Sequence, residues 1–331
     1  MVADADEEHM SGSVQPDRVP PGRPPLMPAL SRSALDRDYL SRLGGVLALA
    51  EDPRTRIIVL HAGRALGGVD GLRLLHITGL PAVEVETAVF LGRSRVTWPD
   101  LEQGAAVLAV ALDDDQASAI DGDWLDLRRV GAELSDRDAG LFTQALALAN
   151  WHRVARFSPA TGAATSVAQS GWVRVDPELG TEHYPRTDPA VIVAVLDDDD
   201  RILLGSNVTW EPGRFSLLAG FVEPGESLEA AVVREIFEEA GVVVTDPVYR
   251  GSQPWPFPAS LMLGFEARIA PGTSPEPTPD GTELRELRWF TRDDVRAEVN
   301  AGTLLLPGRA SIAHAIIADW FGEPLPTGPR P

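Results

Sequence analysis

Apolar positions along the chain fall into short runs, broken by turn-forming and charged residues. In the first half, Arg56–His61 and residues 72–77, 88–91 and 105–112 read as strands, separated by signals such as Gly67-Gly68 and Pro99-Asp100. A short helix is expected over 34–43. Ser135 to Asp138 forms an S-x-x-D capping pattern ahead of a helix to about Arg153, with Leu141, Ala145, Leu148 and Trp151 as its apolar stripe. In the second half, 190–196 is a β-branched run. A charged turn at 197–200 returns it as a second strand, 201–204. Further strands are expected at 242–244, Ser260–Ile269 and Leu284–Phe290, a mobile loop at 270–282, and a last helix over about 310–321. Residues 1–30 are too rich in Pro, Gly and acid to bury much apolar surface and read as disordered. The expected organisation is this extension, a mixed α/β domain over 31–153, a connector over 154–185 and a second α/β domain over 186–325.

Composition narrows the class. The chain has 331 residues, 44% of them apolar, enough for two domains of ordinary size. The net charge is −20 and every basic residue other than histidine is arginine. Such acidity disfavours nonspecific binding to nucleic acid or anionic membrane, but a small anionic substrate held through metal ions remains open. With no cysteine there is no disulfide and no thiolate metal site. The first ten residues are acidic, unlike a secretory signal. The longest clean apolar run, 105–112, falls short of the ~18 residues of a membrane span. A soluble cytoplasmic protein is the expectation. His61 and His76, on strand-like stretches, read as structural.

The chemistry concentrates in 220–242, GFVEPGESLEAAVVREIFEEAGV. A turn containing Pro224 and Gly225 leads to Ser227, a helix cap, and Gly241 stands at the C-terminal cap position. On the helix between, Glu235, Glu238 and Glu239 are spaced i, i+3, i+4 and share a face, while Leu228, Val232 and Ile236 face a core. Glutamates on one face ordinarily mean a solvated surface. Here they follow a rigid loop bearing Glu226, with Arg234 beside them, an arrangement suited to hard divalent cations. Gly220, Glu226, Arg234, Glu235, Glu238, Glu239 and Gly241, with Ile236 and Val242 at the aliphatic positions, match the Nudix box without departure. The chain resembles Nudix hydrolases, which implies an α/β/α sandwich and metal-dependent hydrolysis of a substituted nucleoside diphosphate.

Ten residues after the box comes 252–260, SQPWPFPAS. Its three prolines predict a stiff, extended ledge displaying Trp255 and Phe257, suited to stacking on a base. The segment is similar to the array that marks the NADH pyrophosphatase subfamily of Nudix hydrolases, and the similarity covers about 150–320. That resemblance implies hydrolysis of NADH or NAD⁺ to (reduced) nicotinamide mononucleotide and AMP, and removal of NAD caps from RNA, with the −20 charge arguing that RNA is held by its cap rather than its body. It implies two or three Mg²⁺ or Mn²⁺ ions on the Ala219 carbonyl, Glu235, Glu239 and Glu283, with Glu286 the alternative to Glu283. Glu238 completes the cluster or helps activate water. Nucleotide contacts are implied for Tyr184, for Gln253, Pro254, Trp255, Pro256, Phe257, Pro258, Ala259 and Ser260, and for Ala313. A homodimer sharing its sites is implied too. The subfamily's connector carries two C-x2-C pairs. Here Ser158, Thr161, Asp176 and Leu179 stand at those positions, so the connector resembles a zinc ribbon without zinc. Packing of Phe157, Trp172 and Tyr184, or a partner subunit, is the expected replacement. Two other readings stay open: a Nudix enzyme for another dinucleotide, such as ADP-ribose or diadenosine polyphosphate, and a non-catalytic nucleotide sensor.

Overall fold

The computed structural model describes residues 23–81 and 85–328. The first 22 residues of the expected disordered extension therefore lie outside the described residues. The chain builds two mixed sheets joined by a small three-stranded one. The second large sheet runs in the spatial order Val244–Trp255, Ser260–Ile269, Asp188–Leu196, Ile202–Asn207, Leu284–Phe290, with Leu218–Phe221 pairing onto Asp188–Leu196. Its central strand shows the two-residue alternation of a buried sheet. Val191, Val193 and Val195 face the helix Leu228–Ala240, and Ile192, Ala194 and Leu196 face Ile312–Phe321 and the rest of the opposite core. The result is an α/β/α sandwich. Val232 and Ile236 reach zero exposure, each contributing about 1.5–3 kcal/mol by burial.

The first sheet repeats this plan in reduced form. Arg56–His61 lies parallel to Ala106–Leu112, hairpins back as Arg64–Gly68, and is flanked through Ala106–Leu112 by antiparallel Val89–Ser94. Asp188–Leu196, Ser260–Ile269, Ile202–Asn207 and Val244–Trp255 stand in the same relation and the same chain order. Where the second domain inserts Leu228–Ala240, the first has, among the described residues, only the 3-10 turns Ile77–Gly79 and Val85–Thr87. Among the described residues no carboxylate-bearing helix forms there. The helix Asp136–Val154 starts where the capping pattern puts it, with Ser135 Oγ accepting from the Asp138 N–H at 3.1 Å.

Several expectations give way. Residues 34–43 are not a helix: Leu35–Asp36 pairs with Val89–Ser94, and a 3-10 turn, Tyr39–Gly44, follows. Of 72–77 only Leu72 is in a strand. Residues 26–30 do not fit the expected disorder. Leu30 is 1% exposed in the first domain's core, and the Leu26 N–H donates to the Arg250 carbonyl. Residues 26–31 cross the outer edge of Val244–Trp255, where Ser31 Oγ donates to the Ser252 carbonyl at 2.6 Å. Gly251 permits this approach, since a side chain there would run into the Leu26 backbone. The helix Arg292–Ala301 was not anticipated, although Thr291 and Asp294 form a capping box that announces it.

The connector is held by a carboxylate rather than by aromatic packing. Residues 158–163 and 176–181 form two knuckles with identical backbone bonds: the first N–H to the carbonyl five residues on, and the N–H four residues on back to the first carbonyl. Between them sits Asp176, fully buried. It accepts from Ser158 Oγ, from Thr161 Oγ1 at 2.8 Å, and from the Glu178 and Leu179 N–H groups at 2.8 and 3.2 Å. These are the positions at which the resemblance to the subfamily's connector expects cysteines. Phe157 and Tyr184, expected to pack together, are 60% and 62% exposed. Trp172 does pack, donating Nε1–H to the Phe90 carbonyl at 2.7 Å.

Candidate active site

The box helix begins where Ser227 Oγ accepts from the Ala230 N–H at 3.1 Å, and ends at Gly241, whose φ of 67° is the left-handed cap conformation. Arg234 organises the acid face. Its Nε and Nη2 grip Glu226 bidentately at 2.8 Å each, Nη1 reaches Glu238 at 2.9 Å and Glu235 at 3.0 Å, and Nη2 also donates to the Phe221 carbonyl. One guanidinium thus ties the 220–227 loop to the helix, a geometry lysine cannot reproduce. Bidentate bonding by Arg234 holds the Glu226 carboxyl down at about 2.

Glu235 lies against Gly220, with no room between. An added Cβ would fall inside its carboxylate. Gly220→Ala is therefore expected to displace Glu235 and to lower turnover about 10²-fold or more, as ångström-scale misplacement does, with a thermal midpoint close to wild type. Steady-state kinetics and a melting curve check this together.

Glu239 is the most deeply buried of the three glutamates Glu235, Glu238 and Glu239. It is 8% exposed, and its Oε2 has no hydrogen-bond partner among the described residues. Burial, then the charges of Glu235 and Glu283, push its pKa up to about 8, against a bond from the Ala219 backbone. Burial also raises Glu235, with Glu238 and Glu283 adding and Arg234 opposing. Glu283 is set by Asp280, whose carboxylate accepts from the Glu283 and Leu284 N–H groups. Among the two downstream candidates, Glu283 rather than Glu286 is felt by Glu235 and Glu239. Glu286 pairs across to Ser206 and lies near Arg288. Asp280 acts on Glu239 as well and was missed in the sequence; its D-x-x-E spacing before the strand was the available signal.

As they stand, no three carboxylates among the described residues are gathered closely enough to hold an ion. Like charges hold them apart and Arg234 engages Glu235. The donor set nevertheless fits a hard divalent cation: all oxygen, with one buried carboxylate oxygen left without a partner.

The ledge is placed differently from expectation. Residues 252–255 continue the strand Val244–Trp255, with Trp255 opposite Ser260 across a tight turn. Pro254 is tolerated because this strand is the sheet's edge. The Phe257–Pro258 peptide is cis. Gln253 is fully buried and structural, accepting from the Leu30 N–H at 3.4 Å and donating to the Ala310 carbonyl at 3.1 Å. Trp255 and Phe257 meet edge to face, their ring centroids 4.8 Å apart, and pack on the first domain's core. Arg128 stacks over Phe257 at 4.1 Å. Pro256 and Pro258 accept from Asn150 Nδ2. Pro254, Ala259 and Ser260 border a cleft facing the first domain. Ala313 is 2% exposed, its N–H bonded to the cap Ser311 Oγ. Tyr184 stands exposed beside Glu182, to which its hydroxyl donates. So the structure brings together Ala219, Gly220, Glu226, Arg234, Glu235, Glu238, Glu239 and Glu283. Gln253 and the side chain of Ala313 are committed to packing.

Two family models match the chain: the NUDIX domain over residues 186–308 and the NADH pyrophosphatase-like rudimentary NUDIX domain over 54–151. The chain is 43% identical over 313 residues to an NAD-capped RNA hydrolase NudC of Mycobacterium bovis, covering 89% of this chain and 95% of that protein. The chain is a Nudix hydrolase of the NADH pyrophosphatase type. The same identity and coverage hold for an NAD-capped RNA hydrolase NudC of Mycobacterium tuberculosis. The human NAD-capped RNA hydrolase NUDT12 is 39% identical over 201 residues, 57% of this chain and 43% of that protein. The rudimentary model falls on the sheet that repeats the Nudix plan without a box helix. Among the described residues, no helix of this Nudix hydrolase is long and apolar enough to cross a membrane.

Proposed function

We propose that this Nudix hydrolase cleaves the diphosphate of NADH and NAD⁺, giving (reduced) nicotinamide mononucleotide and AMP, and removes NAD caps from RNA 5′ ends. The observation that carries the reading is the buried Glu239 carboxylate, its Oε2 unpartnered among the described residues, beside Glu235 and Glu283, on a complete box, in a chain similar along nearly its whole length to NAD-capped RNA hydrolases. Glu235, Glu239, Glu283 and the Ala219 carbonyl would hold two or three Mg²⁺ or Mn²⁺ ions. When bound, these supply positive charge to the diphosphate oxygens and acidify water.

The chain's own groups do the rest. Arg234 keeps Glu235 and Glu238 oriented from one side. Glu238, 57% exposed at its side chain and held by this one ion pair, takes the proton of the attacking water. The water oxygen bonds one phosphorus, the bridging P–O bond breaks, and the other nucleotide leaves with that electron pair. Tyr184 and the ledge residues contribute nucleotide contacts, with a homodimer completing the site and the enzyme acting in the cytoplasm. Product analysis after incubating NADH, NAD⁺ and NAD-capped RNA with Mn²⁺ tests the reading. Mononucleotide plus AMP, and 5′-monophosphate RNA, are expected. A clear preference for ADP-ribose over NADH overturns it.

A further inference from the structure

One cleft differs from the rest of this acidic surface. It encloses about 290 Å³ where the first domain, the connector and the ledge meet, and combines cationic side chains with two indoles; like the cleft bordered by His61, His152 and Arg153, its lining contains no Asp or Glu, although the chain carries 49 acids against 29 bases. Three arginines line it, Arg32, Arg37 and Arg186, together with Trp172 and Trp255. Arg32 is engaged with the Leu134 and Gly131 carbonyls, and Arg186 with Asp188. Arg37 is not: it is exposed, forms neither hydrogen bond nor ion pair among the described residues, and sits 5.9 Å from the Trp172 ring centroid. Arg42 covers that ring at 3.6 Å, so two cations gather where no carboxylate pairs with Arg37. Thr143, 4% exposed on the same lining, has an Oγ1 without a partner among the described residues. Free guanidinium, unpaired hydroxyl and indole walls form the donor set for a phosphodiester with a base attached.

Size and position say which one. The volume lies at the lower limit of small-molecule pockets and suits one nucleotide rather than two. Leu261, on the cleft wall, pairs with Pro189, whose carbonyl takes the Val222 N–H of the box loop. Two strand spacings, about 10 Å, therefore separate the cleft from the loop that leads into the carboxylates.

We propose that this cleft is a nucleotide subsite, in which Arg37 meets a phosphodiester and the walls of Trp172 and Trp255 receive a base, so that the nucleotide following an NAD cap is held here. The proposal rests on the decapping reading above and amends the expectation that RNA is held by its cap alone. Free NADH has no such nucleotide. The test compares wild type, Arg37→Ala and Arg37→Glu in kcat/KM for NAD-capped RNA and for NADH, between about 50 and 200 mM salt. For capped RNA, a fall of roughly 5- to 10-fold in Arg37→Ala and a larger one in Arg37→Glu are expected, with a salt dependence shallower by about one unit. NADH kinetics stay at wild-type values. Equal effects on both substrates, or none on either, overturn the subsite. A second arm needs no hydrolysis: anisotropy of a labelled, uncapped RNA trinucleotide bearing a 5′ phosphate. Weaker binding to Arg37→Glu supports the cleft, and equal affinity rejects it even if wild type cleaves NADH but not capped RNA.

Discussion

Replacing Glu239 with glutamine is expected to abolish most turnover while leaving the protein more stable. The loss removes a cation ligand, and charge stabilisation by a metal is worth several kcal/mol, about 10³-fold or more in rate. Nucleotide binding persists, because the remaining acids and the rest of the site are untouched. The stability gain follows from the raised pKa. A carboxyl at about 8 in the folded chain, against its ordinary 4.5, binds its proton more tightly folded than unfolded. The metal-free protein is therefore most stabilised at this site below pH 4.5, and loses that stability as pH rises from 4.5 through about 8. Glutamine stays neutral throughout. At pH 8.5 without metal the variant is expected to melt several degrees above wild type, and saturating Mn²⁺ should raise the wild-type midpoint by more than the variant's. A variant with near-wild-type turnover would remove Glu239 from the site.

Building a thiolate metal site into the connector is the second large effect. Ser158, Thr161, Asp176 and Leu179 occupy two knuckles whose backbones already have matching bonds. The quadruple change Ser158→Cys, Thr161→Cys, Asp176→Cys, Leu179→Cys is expected to bind one equivalent of Zn²⁺ in tetrahedral thiolate coordination, measurable by metal analysis and by cobalt substitution spectra. Asp176→Ala alone should open the connector, raising proteolysis within 158–185 at least tenfold, because it strands two hydroxyls and two N–H groups. Acid should mimic it. The Asp176 carboxyl is held at about 2, first by Ser158, so its stabilisation is complete above its ordinary 3.8 and is lost as pH falls toward 2. A quadruple variant that folds and binds no zinc would show that the knuckles do not face each other as described.

The box helix was legible because every level agrees there: Ser227 and Gly241 fix its ends, Val232 and Ile236 its buried face, and the glutamates its open one. The four ribbon positions were also legible, but not their new chemistry, since a hydrogen-bonded Asp has no spacing signature of its own. The ledge was half right. Alternating prolines predict extension, and extension was found, but as an edge strand whose Gln253 serves the interior. Nothing local distinguishes a side chain pointing at a ligand from one pointing at the Ala310 carbonyl. Residues 26–31 were misread for a related reason. Composition judges a segment by its own apolar content, whereas Leu26 and Leu30 are ordered by cores that other segments build.

That strap has a bearing on how the protein should be handled. Laid across Val244–Trp255, residues 26–31 shield the margin of a long strand that would otherwise offer its unpaired backbone to any passing chain. Shortening the molecule from its amino end beyond Leu26, a routine step when a proline-rich leader is trimmed, would bare that margin and invite self-association into insoluble material, with the hydrolytic face still intact.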